Sequence, residues 1–471
     1  MQTAKETELF ETMPIRRAVL ALAVPTVISQ LVVLVYSMAD TWFVGQTGDP
    51  CQVAAVTVCY PLFLLLNAIA NLFGIGGGSL ISRLLGSREA KRAGTVASFT
   101  LWAAGGLALC YSGLSFLFGS QILTALGADA GTFGYARDYL FWTVSVGALP
   151  TVLGLVLANL IRAEGGAKTA SLGMSLGGVL NVVLDPIFIF LLDMEVGGAA
   201  LATALSNTVS VLFLLGCYIK SRRQSAVKAA LLPRRIEHNS IKSLLSIGTP
   251  AALQILLSAV SGAVLLGLMG GYETAVLSGV GVMQKVEVIP FQIAQGVSSG
   301  VLPLIAYSFA AGNRARMRQA IRFAMGLELA VTLTLFALFE GFAPALVGFF
   351  VPDAGTVAYG AVFLRLRCLG LPFITVEFLL IAVFQAIGGA KQAFALSLLR
   401  KGILDLPLMY LAQRLWAVNG LMLVQPVMEC AGAVIALVLY RALNRENMTS
   451  LPEQSAPQAL EPSHSFSHSV T

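Results

Sequence analysis

The chain has 471 residues, of which 57% are hydrophobic and only 11% are charged. An ordinary water-soluble domain carries about 25% charged residues, so this composition excludes a soluble globular protein. The net charge of +6 comes from basic loops between apolar segments, and it gives no reason to expect a nucleic-acid partner.

Twelve apolar segments, each long enough to cross a bilayer as a helix, follow one another along the chain. A helix needs roughly 20 mostly apolar residues to cross about 30 Å of hydrocarbon. Membrane-spanning strands would instead alternate apolar and polar residues in pieces of about 10 residues, and these segments do not alternate. The predicted spans are 18–39, 53–76, 94–118, 139–161, 170–192, 197–219, 243–269, 276–306, 320–344, 361–386, 393–413 and 420–441. The sequence therefore predicts an all-α membrane protein.

Basic residues lie mainly in alternate loops of this predicted topology. Arg and Lys cluster before span 1 and after each even-numbered span, whereas acidic residues mark the other loops. The exceptions are Arg137, Arg365, Arg367 and Arg414, which are outnumbered. The positive-inside rule then places both termini and the long central loop in the cytoplasm.

The second half of the chain repeats features of the first half. Gly-Gly-Ala-Lys occurs at 165–168 and again at 388–391, and Pro25 in span 1 matches Pro250 in span 7. These matches lie about 224 positions apart, so we predict two parallel six-helix lobes around a central cavity. The predicted regions are a cytoplasmic N-terminus (1–17), an N-lobe (18–219), a basic cytoplasmic linker (220–242), a C-lobe (243–441) and a disordered cytoplasmic tail (442–471).

Four polar residues of the N-lobe are predicted to meet in the outer part of the membrane. By helical rise, Asp185 lies roughly 22 Å along span 5 and Thr203 about 9 Å into span 6 from the outer face. Asp40 lies at a similar depth near the end of span 1, which we expect Pro25 to kink. Asn181 shares a helix face with Asp185 because the two are four residues apart.

This group has the chemistry of a coupling-ion site. Oxygen ligands suit a hard cation such as Na⁺, and two carboxylates in a low dielectric can hold a proton. In the alternative interpretation, Asp40 merely ends span 1 at the interface and Asp185 caps a turn. No other metal and no cofactor is predicted.

The second half also carries ionisable residues within its spans. Glu377 and Glu429 both fall near mid-membrane, where ionisable groups are costly and usually functional. Asp405 has a structural alternative, because Lys401 lies one helical turn earlier. Lys285 in span 8 either pairs with its neighbour Glu287 or is the counter-ion of Glu377.

The chain carries none of the common catalytic motifs. No serine–histidine pair, HExxH motif or paired-cysteine pattern is present, and a Walker motif is also lacking. The sequence therefore predicts neither an enzyme nor a nucleotide-driven pump.

From about Met13 to Arg445 the chain resembles the multidrug and toxic compound extrusion (MATE) transporters of bacteria. The matching motifs are Pro25, Asp40, Val44-Gly45 and Pro61, then Asn159-x-x-Arg162-x-x-Gly165, Asn181-x-x-x-Asp185-Pro186 and Gly198-Ala199-Ala200-x-Ala202-Thr203. The resemblance implies a twelve-helix, two-lobe antiporter in the bacterial cytoplasmic membrane. It would expel drugs or metabolites in exchange for inward H⁺ or Na⁺.

The resemblance also implies roles for individual residues. It assigns the N-lobe cation site to Asp40, Asn181, Asp185 and Thr203, with Tyr36 and Asn159 nearby. Glu377 matches a span-10 position where some members place a cation-binding acid. That subgroup has a glutamate in span 7, where this chain has Gln254 and Ser258, and this departure favours the N-lobe site.

We expect the substrates to be organic cations, since acids outnumber the basic residues at depth. Glu377 and Glu429 are the predicted contacts, with Gln254 and Lys285 as further candidates in the C-lobe. We expect a monomer in the lipid bilayer. The alternatives are a flippase for a lipid-linked sugar, which needs several basic residues facing a pyrophosphate, and a receptor or channel that does not pump.

Overall fold

A computed structural model of the protein describes residues 8–222, 236–351 and 353–449, and within these ranges every regular element is helical. Residues 1–7, 223–235 and 450–471, which belong to the predicted N-terminus, linker and tail, lie outside the described residues.

Twelve membrane helices can be counted in the described ranges. Nine helices are long and apolar enough to span a membrane, and two bent pairs raise this number to eleven. The run Ala390–Leu443 is broken at Trp416 and Ala417, where the backbone leaves the helical region, so it contributes two spans. The helices are α1 (Ile15–Gly45), α2 (Pro50–Gly86), α3 (Ala90–Ala125), α4 (Phe133–Leu140 and Ala148–Ala163), α5 (Ala167–Pro186), α6 (Glu195–Arg222), α7 (His238–Met269), α8 (Thr274–Ala310), α9 (Arg314–Phe350), α10 (Ala354–Cys368 and Leu371–Ile387), α11 (390–415) and α12 (418–449). All twelve predicted spans are confirmed.

Helices α4 and α10 are bent at equivalent positions of the two halves. The bend is 47° in α4 and 46° in α10. Gly147 and Pro150 lie at the first bend, and Gly370 and Pro372 lie at the second. Proline removes a backbone donor and glycine adds flexibility, which explains both bends. The predicted spans 139–161 and 361–386 did not include these bends. By contrast, α1 continues through Pro25 as one helix of 31 residues.

The packing pattern of the first six helices recurs in the last six. In the N-lobe, α1 packs on α5, and α2 packs on α3 and α4; in the C-lobe, α7 packs on α11, and α8 packs on α9 and α10. The two lobes meet where α1 packs on α8 and α2 packs on α7. The predicted two-lobe repeat is therefore confirmed.

The helix connections alternate between two ends of the molecule. We call one the basic end, which carries the connections 87–89, 164–166, 311–313 and 388–389, and the other the acidic end, which carries 46–49, 126–132, 192–194, 270–273, 351 and 353. At the basic end, backbone atoms of the two lobes are in close contact. A Cβ added at Gly248 of α7 would clash with the carbonyl of Leu72 on α2, so only glycine permits this approach. Ser79 also donates a hydrogen bond of 2.5 Å to the carbonyl of Gln385 across the lobe boundary.

A short turn before α1, Glu8–Thr12, joins the two lobes at the basic end. Phe10 stacks on Tyr307 of α8 with ring centroids 4.8 Å apart. Arg316 of α9 donates hydrogen bonds of 2.6 to 3.0 Å to three backbone carbonyls at this turn. The turn also packs on Gly165 of the N-lobe. It therefore contacts both lobes at the basic end.

Candidate functional site

A cavity of about 590 Å³ lies between the two lobes. It runs from Thr57 on α2 and Leu266 on α7, near the acidic end, to Arg162 on α4 at the basic end. The cavity therefore extends along much of the boundary between the two lobes.

The polar side chains on the cavity wall are mainly neutral. Among the described residues that line it, Arg162 is the one charged side chain, and no carboxylate is present. Six amide side chains line the wall: Asn71, Asn159, Gln254, Gln284, Gln295 and Gln385. Asn159 and Gln254, two of the candidates from the sequence, are thus wall residues from opposite lobes.

Asn181 lies at the centre of a second polar site, within the N-lobe. Its Nδ2 donates to Asp185 Oδ1 and to Thr203 Oγ1, and both hydrogen bonds are 3.2 Å long. Asp40 and Tyr36 on α1 lie within electrostatic reach of Asp185. Helices α1, α5 and α6 therefore bring together the four residues predicted from helical rise, with Tyr36 beside them.

Local sequence explains why these helices approach closely. Asn181 and Asp185 are one turn apart on α5, so they face the same side. Gly178, nearly one turn before Asn181, lets α1 pack tightly, since a Cβ there would lie 2.8 Å from Val32 and 3.0 Å from Tyr36. Because Gly178 has no side chain, α1 packs close to α5 and brings Asp40 near Asp185.

Three oxygen atoms of the N-lobe site have no hydrogen-bond partner although they are buried. They are Asp40 Oδ1, Asp185 Oδ2 and Asn181 Oδ1. Buried polar atoms are normally satisfied, so unpartnered oxygens near two carboxylates fit a proton or a cation with oxygen ligands. Asn159, which the family resemblance places near this site, lines the cavity and donates to the carbonyl of Leu155 at 2.9 Å.

The two glutamates predicted near mid-membrane in the C-lobe, Glu377 and Glu429, form buried ion pairs. Arg400 Nε lies 3.0 Å from Glu377 Oε1, and Arg400 Nη2 lies 3.7 Å from Glu429 Oε1. Both glutamates are almost fully buried and neither lines the cavity. Neither glutamate faces the cavity in this conformation, since both contact Arg400 inside the lobe, and their contact with a cationic substrate stays a prediction.

The two lysines singled out in the C-lobe, Lys285 and Lys401, differ in their surroundings. Lys285 is exposed on α8, and Arg400 rather than Lys285 is the counter-ion of Glu377. The pair of Lys401 and Asp405 is formed, with Nζ and Oδ2 3.8 Å apart. Asp405 also accepts a hydrogen bond of 2.5 Å from Ser261 on α7, so it ties α7 to α11.

Sequence reasoning missed Arg400, Glu328 and the cavity position of Arg162. Glu328 is fully buried on α9, and its Oε1 accepts a hydrogen bond of 2.9 Å from Ser298, which lines the cavity. The signal that identified Glu377, an acid within an apolar span, applies equally to Glu328 in the predicted span 320–344.

Comparison with known proteins gives the same family for both lobes. The MatE family model matches residues 25–187 and 250–411. The chain is 28% identical over 440 residues to the multidrug export protein MepA of Staphylococcus saprophyticus, covering 93% of this chain and 96% of that protein. It is 29% identical over 441 residues to MepA of Staphylococcus aureus, with the same coverage.

Solved structures show the same fold. A multidrug resistance MATE transporter in an outward-facing conformation aligns with a TM-score of 0.89 at 23% identity, covering 95% of this chain and all of that one. A MOP superfamily transporter from Pyrococcus furiosus aligns with a TM-score of 0.88, at the same identity and coverage.

A membrane protein with twelve helices in two lobes and a central cavity between them has the architecture of a transporter rather than of an enzyme. The chain belongs to the MatE family, whose model matches more than half of its length. It is an integral protein of the bacterial plasma membrane.

Proposed function

We propose that the protein exports drug-sized organic compounds in exchange for inward-moving H⁺ or Na⁺. The names of the MepA relatives support export of multiple drugs. The volume of about 590 Å³ lies in the range of small-molecule sites, roughly 300–1,000 Å³. The single observation that carries the proposal is the N-lobe group of two carboxylates, an amide and a hydroxyl with unpartnered buried oxygens.

The N-lobe site is proposed to bind the coupling ion, with Asp40 and Asp185 as its charged members. Repulsion between two buried carboxylates falls when either a proton or Na⁺ binds. Asn181 and Thr203 supply neutral oxygens, which are also suitable ligands for Na⁺. The same residues therefore support either ion.

Helix α1 provides a physical link between the ion site and the lobe boundary. Asp40 lies near its acidic end, while Leu22 and Val27 pack against Gly300 and Gly296 of α8 nearer the basic end. A shift of α1 on ion binding would therefore alter the contact between lobes. Pro25 lies within this contact with α8, between Leu22 and Val27, and its missing hydrogen bond makes it the proposed bending point.

We propose that the basic end faces the cytoplasm, as the positive-inside rule indicates. The lobe contacts at the basic end would then lie on the cytoplasmic side, and alternating access requires them to open. One chain encloses the whole cavity, so we propose a working monomer. A flippase is not favoured, because a pyrophosphate calls for several basic wall residues and only Arg162 is present among the described ones.

The test is uphill transport in proteoliposomes with a pH gradient and a Na⁺ gradient imposed separately. Wild-type protein should accumulate a fluorescent dye such as ethidium under at least one gradient. Asp40→Asn and Asp185→Asn should each reduce this by at least tenfold, whereas Asp129→Asn, in a connection at the acidic end, should not. Dye transport by the wild type that does not depend on either gradient would exclude antiport.

A further inference from the structure

An open groove lies between the first turn of α1 and the neighbouring part of α9, at the basic end. The described residues that line it include Arg16 and Arg17 of α1 and Arg322 of α9, but no acidic side chain. All three arginines are exposed, and none forms an ion pair with a residue that the structure describes. The groove therefore gathers three positive charges that no described carboxylate balances.

Apolar side chains adjoin these charges on the side toward the membrane interior. Ile15 and Phe323 line the groove and are partly exposed. Leu20 and Val24 follow Arg16 at steps of four residues, so they continue the same face of α1. They are 38% and 46% exposed, as expected of side chains that contact lipid. The groove thus leads from charged groups to an apolar helix surface.

The corresponding face of α9 is open because its residues are small. Gly326 and Ala330 follow Arg322 at steps of four residues, and both are exposed. A Cβ added at Gly326 would meet no atom within 4 Å, so there is free space beside the helix. Since α1 and α9 pack against each other, this space leaves room for an acyl chain along the helix pair.

We propose that the groove binds an anionic phospholipid, with its phosphate on the three arginines and an acyl chain along Leu20 and Gly326. Guanidinium groups donate paired hydrogen bonds to phosphate oxygens, and basic pockets between helices at the membrane surface suit anionic head groups. The adjoining apolar surface favours a lipid over a free phosphate ion, which buries no apolar area. A lipid bound here contacts both lobes, because α1 belongs to the N-lobe and α9 to the C-lobe. This inference goes beyond the proposed export and does not rest on it.

The test is a titration of purified, delipidated protein with dioleoylphosphatidylglycerol, with bound lipid counted by native mass spectrometry. Wild type should bind one lipid molecule more tightly than any further ones. The triple variant Arg16→Gln/Arg17→Gln/Arg322→Gln should lose this tight binding. Each single substitution should weaken it about fivefold, the usual contribution of one basic residue near an anionic head group.

Three lysines elsewhere at the basic end provide the matched control. Lys91, Lys168 and Lys242 are exposed like the arginines but do not line the groove. The variant Lys91→Gln/Lys168→Gln/Lys242→Gln removes the same charge and should keep the tight lipid. Two further ligands, dioleoylphosphatidylcholine and glycerol phosphate, should each bind at least tenfold more weakly. The first balances its own phosphate with choline, and the second lacks acyl chains.

Equal lipid binding by the groove variant and wild type would overturn the inference. Equal losses in the two triple variants would also overturn it, because attraction would then depend on total charge alone. Glycerol phosphate that binds as tightly as the lipid would show that the groove takes free anions instead. If the groove variant does not fold, the three single variants replace it, and unchanged binding in all of them would contradict the proposal. The titration uses neither a gradient nor a drug, so the proposed export stands or falls separately.

Discussion

Replacing Arg400 with leucine should destabilise the C-lobe strongly. The guanidinium lies 3.0 Å from Glu377 and 3.7 Å from Glu429, and all three side chains are at most 3% exposed. Removing one partner of a buried ion pair costs about 3–5 kcal/mol, because a charge is left unpaired. We expect Arg400→Leu to lower the free energy of unfolding by about this amount. It can be measured by SDS-induced unfolding in mixed micelles.

Two further variants decide whether the loss comes from unpaired charge. Adding Glu377→Gln to Arg400→Leu should recover about 0.5–3 kcal/mol, the usual coupling between residues in contact. Arg365→Leu is the matched control, because Arg365 is 45% exposed in its side chain and its pair with Glu340 spans 3.9 Å. An exposed pair contributes about 0–1 kcal/mol. An Arg400→Leu effect no larger than that of Arg365→Leu would refute the reasoning.

Four other substitutions test the helix packing, the basic end and the N-lobe site. Gly248→Val should reduce transport at least tenfold, because its side chain clashes with the Leu72 carbonyl where the lobes meet; normal transport with a closed basic end would contradict this. Arg316→Ala should speed hydrogen–deuterium exchange in residues 8–13, since it removes three hydrogen bonds, and unchanged exchange would show that Arg316 does not anchor this turn. Asp405→Asn should lower thermal stability modestly yet keep most transport, and complete loss in a well-folded protein would place Asp405 in the mechanism. Thr203→Val should weaken ion binding at least threefold in a calorimetric titration, and unchanged affinity would exclude its hydroxyl as a ligand.

Much of the architecture could be predicted because the bilayer imposes simple rules. Apolar length alone identified the twelve helices, and registered repeats such as Pro25 and Pro250 identified the two lobes. Helical rise placed Asp185 and Thr203 at one depth, and the structure joins both to Asn181. Depth along a helix follows from counting residues, so this part of the site was accessible from sequence.

Rotation about each helix axis was harder to predict, because it depends on packing between helices. Counting residues placed Glu377 near mid-membrane but did not indicate that it faces Arg400 inside the lobe rather than the cavity. Family resemblance placed Asn159 near the ion site but did not indicate that its side chain lines the cavity. The bends at Gly147 and Gly370 were overlooked because apolar length says nothing about helix direction.

The central claim is that the N-lobe site of Asp40 and Asp185 binds the coupling ion. The most direct measurement is equilibrium binding to purified protein, with Na⁺ followed by calorimetry and protons by a pH indicator. We predict that wild type binds at least one of these ions stoichiometrically and that the double variant Asp40→Asn/Asp185→Asn loses at least one bound ion per protein. Identical ion binding by the two proteins would contradict it.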